Sequence, residues 1–246
     1  MMAEVPSLDI LERGRTGPPF QSKKNRVFLS TVGGRRYAVK VFRGEWRERA
    51  AVEYGVLADC AARGVKVPEP LALLEGVIVM APVDGPVAGD VFDALCASGD
   101  GRMIGSEQER LADMLARWLA RFHTAFGFGL ARGDTILRNF IVTEDDVVGL
   151  DFEEAGRGDT LSDLGQMCAS ALMTDPAFTA PKLAFARRLA GRYWAVSGQR
   201  RAGELGGSVS AAIRHYAQFR PNGQQLLAYA SKIDKGEILL RSSDDL

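Results

Sequence analysis

The sequence predicts an α+β chain of two lobes: a small antiparallel sheet with one helix over residues 1–85, and a mainly helical lobe over residues 86–246. Three observations predict it. Residues 26–32, RVFLSTV, and 35–42, RRYAVKVF, alternate with period two around Gly33-Gly34, as the arms of a hairpin do. After Gly85 the apolar period lengthens to that of a helix, most clearly in Leu111, Met114, Leu115, Trp118, Leu119, Phe122 and Phe126. The composition, 46% hydrophobic and 25% charged, is that of a chain with an ordinary packed core.

In the returning strand Tyr37, Val39 and Val41 share one face, and Ala38, Lys40 and Phe42 share the other. Residues 45–63 then read as a helix with Trp46, Ala50, Leu57 and Ala61 at helical spacing, stopped by Gly64. Residues 70–75 and 76–81 read as two more strands. Beyond the lobe boundary at 82–88, Ser106 and Glu109 have the spacing of a capping box that opens the long helix. The loop ARGDTILRN follows, then the short strands FIV and VVGL around a turn at 143–146. Three helices close the chain: LSDLGQMCASALM, KLAFARRLAGRYWAV and SVSAAIRHYAQF.

The apolar runs are too short for a membrane span. The opening stretch MMAEVPSLDILERGR has no apolar segment of signal-peptide type, so none is expected. Cys60, Cys96 and Cys168 are too few and scattered for a disulfide framework or a zinc site; they read as reduced thiols without disulfide partners, in a cytoplasmic protein. The net charge is zero but uneven: +8 over residues 10–50, −12 over 51–181 and +8 over 182–241. Two basic flanks suit a polyanionic partner; counter-charges meeting within the fold would give the same numbers.

Four pieces carry chemistry. Lys40 is the lone charge in YAVKVF, where a lysine ordinarily faces solvent. Glu53 lies on the apolar stripe of its helix, where a carboxylate needs a partner, and Lys40 is the obvious one. The third piece is Arg132-Gly133-Asp134 with Asn139 five residues on. The fourth is VVGLDF, an apolar strand ending in Asp151. Asn139 and Asp151 flank the short hairpin and are expected to converge, and their oxygens suit Mg²⁺ or Mn²⁺, with Asp134 beside them as a base. His123 reads as a satisfied core histidine, His215 as a surface one, and Glu153 and Glu154 as a solvated loop in preference to an addition to the metal shell.

In this order and at these spacings the pieces resemble the protein-kinase-like phosphotransferase superfamily over residues of about 12–175. The segments RFHTAFGFGLARGDTILRNFIV and GLDFEEAGRGDTLSDL look like its compact microbial and archaeal branch: Bud-type and RIO kinases, lipopolysaccharide sugar kinases, aminoglycoside and choline phosphotransferases and archaeal RNA kinases. The resemblance implies a bilobal kinase-like fold and ATP as phosphoryl donor, with adenine between the lobes. It implies that Lys40, oriented by Glu53, holds the α/β-phosphates; that Asn139 and Asp151 bind the metal; and that Asp134 takes the acceptor's proton. Met80 is placed like a gatekeeper, Ala81 and Val83 like the hinge, and Asp163 like a brace for the catalytic loop.

The departures are DFE in place of DFG, no GxGxxG, so that Gly14–Gly17 or the Lys23-Lys24 turn must cover the phosphates, and no long activation segment. Ile136 stands where a lysine is usual, and Arg138 is the expected substitute. The basic flanks favour a macromolecular acceptor, an RNA hydroxyl or a protein Ser/Thr, with Arg35, Arg36, Arg138, Arg200 and Arg201 as its contacts. The alternatives are a small-molecule phosphotransferase for a sugar or antibiotic, and an inert kinase-like module that binds nucleotide or RNA.

Overall fold

The computed structural model describes residues 5–21, 24–98, 104–199, 201–238 and 240. The chain divides into two compact units, Met1–Asp84 with Leu150–Ala155, and Gly85–Gly149 with Gly156–Leu246.

The first unit is a five-stranded antiparallel sheet in the order β1-β2-β3-β5-β4. Its strands are β1 (Arg15–Gln21), β2 (Asn25–Val32), β3 (Arg35–Phe42), β4 (Pro70–Leu74) and β5 (Val77–Met80). The hairpin turn at Gly33-Gly34 has positive φ at both glycines, the backbone that a tight right-twisted turn demands. Period two then splits β3. Tyr37 and Val39 enter an apolar cluster with Leu11, Phe28, Val77 and Val79, so Lys40 and Phe42 take the opposite face. β1 and the short helix α1 (Leu8–Arg13), which supplies Leu11, were not legible in the sequence.

The helix expected over 45–63 is two pieces: a 3₁₀ turn at Gly44–Glu48, and α2 (Arg49–Ala62). Its buried stripe is Ala50, Glu53, Leu57 and Cys60. Trp46 falls on the 3₁₀ turn and Ala61 is exposed, because the change of pitch at residue 48 rotates the face that the periodicity suggested.

The second unit is mainly helical. It contains α3 (Ala88–Ser98), α4 (Ser106–Ala125), α5 (Thr160–Leu172), α6 (Ala180–Ser197), α7 (Ala202–Ala217) and α8 (Gly223–Asp234), with the hairpin β6 (Phe140–Val142) and β7 (Val147–Gly149). α4 is its spine. Leu111, Leu115, Trp118, Leu119 and Phe122 are almost wholly buried on one face, each worth about 1.5–3 kcal/mol over exposure. Its N-terminus corrects the expected capping box. Gly105 is the N-cap, and Gln108 rather than Glu109 reaches back, its Oε1 accepting from the Gly105 N–H at 2.9 Å. Gly149 is required where β7 passes α4, since a Cβ there would lie 2.3 Å from the Trp118 ring. Asp159 caps α5, accepting from the Leu161 N–H at 3.0 Å.

No helix among the described residues is long and apolar enough to cross a membrane. Cys60 and Cys168 are buried and Cys96 is half-buried, and no disulfide joins any two of them.

Candidate active site

Within the first unit, Lys40 gathers three carboxylates. Its Nζ lies 2.6 Å from Glu53 Oε2, 2.6 Å from Asp151 Oδ1 and 3.4 Å from Glu153 Oε2. β3 aims the lysine off the core face and the α2 stripe aims Glu53. Asp151 follows the end of β7 with φ at +61°, a left-handed backbone uncommon for a residue with a Cβ. Lys40 and Glu53 are 4% and 2% exposed, so neither charge could remain there alone. Burial works to lower the lysine's pKa, but the Glu53 and Asp151 carboxylates outweigh it and hold the ammonium charged well above its usual range. Burial pushes Glu53 up to about 7 against the pull of Lys40, and Asp151 and Glu153 add to the rise.

Glu153 corrects the expectation of a solvated loop. It is 6% exposed. Its Oε2 accepts from Asn25 Nδ2 at 3.0 Å, and its Oε1 lies 3.1 Å from Lys24 Nζ. Lys24 also pairs with the more exposed Glu154. One ligand oxygen each from Glu53, Asp151 and Glu153 lies within 4.8 Å of the others. Three hard oxygens with more negative charge than Lys40 neutralises are a donor set that fits a divalent cation such as Mg²⁺ or Mn²⁺.

Met80 ends β5, paired with Ala38 on one side and Pro70 on the other, and is 7% exposed. Ala81 spends its N–H on the Glu69 carbonyl at 2.9 Å, so of the hinge groups expected there it offers a ligand only its carbonyl. Val83 is half-buried.

Within the second unit, the loop at 131–139 is fixed by Asp163 from the first turn of α5. Asp163 is wholly buried and accepts three donors: Arg132 N at 2.6 Å, Gly133 N at 3.0 Å and His123 Nε2 at 2.9 Å. A carboxylate only accepts, so His123 donates from Nε2 to Asp163, and its Nδ1 lies 2.8 Å from the Tyr193 hydroxyl. Burial raises the Tyr193 phenol to about 12. Arg132 is also buried, 5.0 Å over the Phe140 ring, and its guanidinium donates to the Asp134 carbonyl.

Both carboxylate oxygens of Asp134 are oriented. Asn139 Nδ2 donates to Oδ2 at 3.0 Å and also to the Asp134 carbonyl at 3.0 Å, so of its side-chain atoms only the amide oxygen could serve a cation. The Tyr216 hydroxyl of α7 lies 3.1 Å from Oδ1. The sequence reads Asp134 as lying beside the site of Asn139 and Asp151, and Asn139 does meet it. Nothing in the sequence pointed to Tyr216, which stands 82 residues away from Asp134.

Of the acceptor candidates, Arg36 forms a two-pronged pair with Asp84 at 2.8 Å on each arm. Arg201 is paired with Asp159 at 2.6 Å and Glu204 at 2.7 Å. Arg35 is exposed, its guanidinium 5.5 Å over the Tyr37 ring. Arg138 is exposed, on a 3₁₀ turn at Leu137–Asn139. Arg200 lies outside the described residues, as does Lys23. A cavity of about 470 Å³ in this unit is bordered by Ile136, Arg138 and Tyr216, with Asp93, Asp175 and Arg220 among its other walls.

The sequence matches the phosphotransferase enzyme family over residues 18–130 and 95–205. No curated protein matches it. Solved structures share the fold at low identity. Macrolide 2′-phosphotransferase MphH from Brachybacterium faecium superposes with a TM-score of 0.61 at 17% identity, covering 91% of this chain and 96% of its own. The streptomycin–ATP–APH(2″)-IIa ternary complex gives 0.61 at 13%, covering 92% and 95%. WaaP in complex with acyl carrier protein gives 0.54 at 20%, covering 92% and 91%.

Proposed function

Because the chain belongs to the phosphotransferase enzyme family, an ATP-dependent kinase of the alcohol-acceptor kind, we propose that its acceptor is the hydroxyl of a small polar molecule. The observation that carries this is the cavity beside the 131–139 loop. At about 470 Å³ it has the volume of a small-molecule site. It is walled by Tyr216, whose hydroxyl touches Asp134. Carboxylates and guanidiniums share its walls, which suits a ligand rich in polar groups. The similar structures named for a macrolide 2′-phosphotransferase and for a streptomycin–ATP complex lend weight to the same class.

Each residue has a role in that reaction. Lys40, oriented by Glu53, takes the α/β-phosphates of ATP. Asp151, with Glu153 beside it, and the Asn139 amide oxygen are oxygen ligands for Mg²⁺ or Mn²⁺. A bound divalent cation supplies neutralisation of phosphate charge. Asp134 orients the acceptor hydroxyl and receives its proton, at positions fixed by Asp163 through the loop amides. Phosphoryl transfer depends mostly on such positioning and charge.

The basic flanks are the observation that favours a macromolecular acceptor, RNA or protein. Arg36 and Arg201 are already neutralised by neighbouring carboxylates, so Arg35 and Arg138 remain its main support.

The test is transfer of labelled γ-phosphate in the presence of Mg²⁺ to three separate pools: small hydroxyl compounds including macrolides, aminoglycosides and hexoses; bulk RNA; and cell protein. Label that passes a small-pore filter and requires Asp134 is the expected result. Label confined to ribonuclease- or protease-sensitive material would reject the small acceptor.

A further inference from the structure

Tyr216 has no role in the scheme above, yet it touches the reacting group. It sits in the last turn of α7, half-buried, at the wall of the cavity. Its hydroxyl is 3.1 Å from Asp134 Oδ1 and 3.3 Å from Gln166 Oε1. Gln166 is itself fixed, because the same Oε1 accepts from the Thr135 N–H at 3.1 Å. A phenol has one proton. Two acceptors therefore compete for it, one on the proposed base and one on the helix beneath it.

We propose that Tyr216 is a positioning residue for phosphoryl transfer: its O–H holds Asp134 Oδ1 ready for the acceptor and swings to Gln166 when Asp134 takes the proton. This rests on Asp134 being the group that receives that proton.

The exchange keeps every group paired. Before transfer Asp134 is a carboxylate. Oδ2 is taken by Asn139, and Oδ1 has two lone pairs, one for Tyr216 and one for the incoming hydroxyl. As the new O–P bond forms and the bond to the leaving nucleoside diphosphate breaks, the acceptor's proton passes to Oδ1. Asp134 is then a neutral acid and a donor. The Tyr216 O–H turns to Gln166, and the new Asp134 O–H rotates about its C–O bond so that the phenol oxygen accepts from it. The acceptor has lost one proton, Asp134 has gained one and Tyr216 has kept its own.

The phenol is suited to staying protonated. Burial, and then the Asp134 charge, raise its pKa well above the usual value; Arg132 opposes this and Asp163 adds to it. Tyr216 therefore acts as a donor at working pH and not as a second base. Asp134, Arg132, Asp163 and Gln166 are among the polar groups around it, and the His215 ring lies 5.1 Å from its own. The hydrogen bond to a charged carboxylate is the stronger of its two options, so the resting O–H of Tyr216 points at Asp134 Oδ1.

Magnesium-dependent phosphate release from ATP, with water as acceptor, reads the step without a known acceptor. Tyr216→Phe keeps the ring and removes the O–H. Its kcat is expected to fall roughly ten- to a hundredfold, the worth of one hydrogen bond to a charged group. KM for ATP and the melting temperature should stay at the parent's values. Parental kcat in Tyr216→Phe overturns the inference while leaving Asp134 in its role. A slower enzyme whose KM for ATP rises with the loss of kcat, or whose melting temperature falls, also overturns it, since that is a purely structural loss. Asp134→Asn distinguishes the other failure: if it turns over within a few-fold of the parent, the assignment of Asp134 itself is wrong.

Discussion

The cluster around Lys40 and the loop around Asp134 are held by opposite means. In the first unit Lys40 is shared among Glu53, Asp151 and Glu153, and Lys24 between Glu153 and Glu154, so the cluster is bound by charge and still holds more carboxylates than ammoniums. In the second unit Asp163 accepts two backbone amides and a histidine, and Asp134 accepts an amide and lies within reach of a phenol. The first arrangement is one a cation could complete. The second is already built, and its cost of ordering is met during folding. Under the proposed function, nucleotide and metal belong to the cluster and proton handling to the loop.

The largest effect expected from breaking this comparison is at Asp163. Asp163→Ala orphans three buried donors and should lower unfolding stability by about 3 kcal/mol or more. Turnover should fall more than a hundredfold as the loop loses its anchor. Denaturant unfolding together with a turnover assay checks both. A variant as stable as the parent would mean the loop is set by something other than this carboxylate.

Next comes the coupling of Lys40 and Glu53. Each single change, Lys40→Met or Glu53→Gln, strands a charge or a donor in a nearly sealed site. The double variant should be little worse than the worse single one, with an interaction energy of about 1–3 kcal/mol. Strictly additive losses in a double-mutant cycle would dissolve the pair.

Asp151→Asn sharpens the cation side of the comparison. The cluster loses one of three carboxylate charges, so the gain in ATP affinity on adding Mg²⁺ should shrink by tenfold or more. Calorimetric titrations with and without the metal measure it, and an undiminished gain excludes Asp151 as a ligand.

The smallest effect lies away from both regions. Burial raises the Cys168 thiol to about 12. At pH 8 a thiol reagent should label the half-buried Cys96 before Cys168, which should react only on unfolding. The linkage has a definite sign. The native state keeps the Cys168 proton while the unfolded thiol releases its own near the ordinary value. Stability from this group is therefore intact below about pH 9 and is lost as pH rises from there toward 12. Cys168 labelling in the native protein as fast as in urea would contradict this.

What the sequence made legible follows from how local each signal is. Lys40 and Glu53 stood out because each breaks an apolar pattern, and two such breaks on adjacent elements suggest each other. The phosphotransferase family and the two-lobed α+β fold rested on ordered spacing. β1 was missed because Gly17, Pro18 and Pro19 interrupt its alternation. Glu153 was read as solvated because its burial depends on Lys24 and Asn25, nearly 130 residues earlier. Tyr216 and Gln166 carry no local mark, since their meeting depends on how α7 packs against α5. The same holds for Arg36 and Arg201, whose carboxylate partners remove the free charge that a count along the chain suggests.

The division of labour is tested most directly by comparing nucleotide binding in Asp134→Ala and Lys40→Met. Affinity for ATP with Mg²⁺, measured by calorimetry alongside phosphate release, should be within about twofold of the parent in Asp134→Ala although turnover is lost a hundredfold or more. Lys40→Met should lose binding and turnover together. Loss of ATP binding in Asp134→Ala, with binding kept in Lys40→Met, would contradict the account.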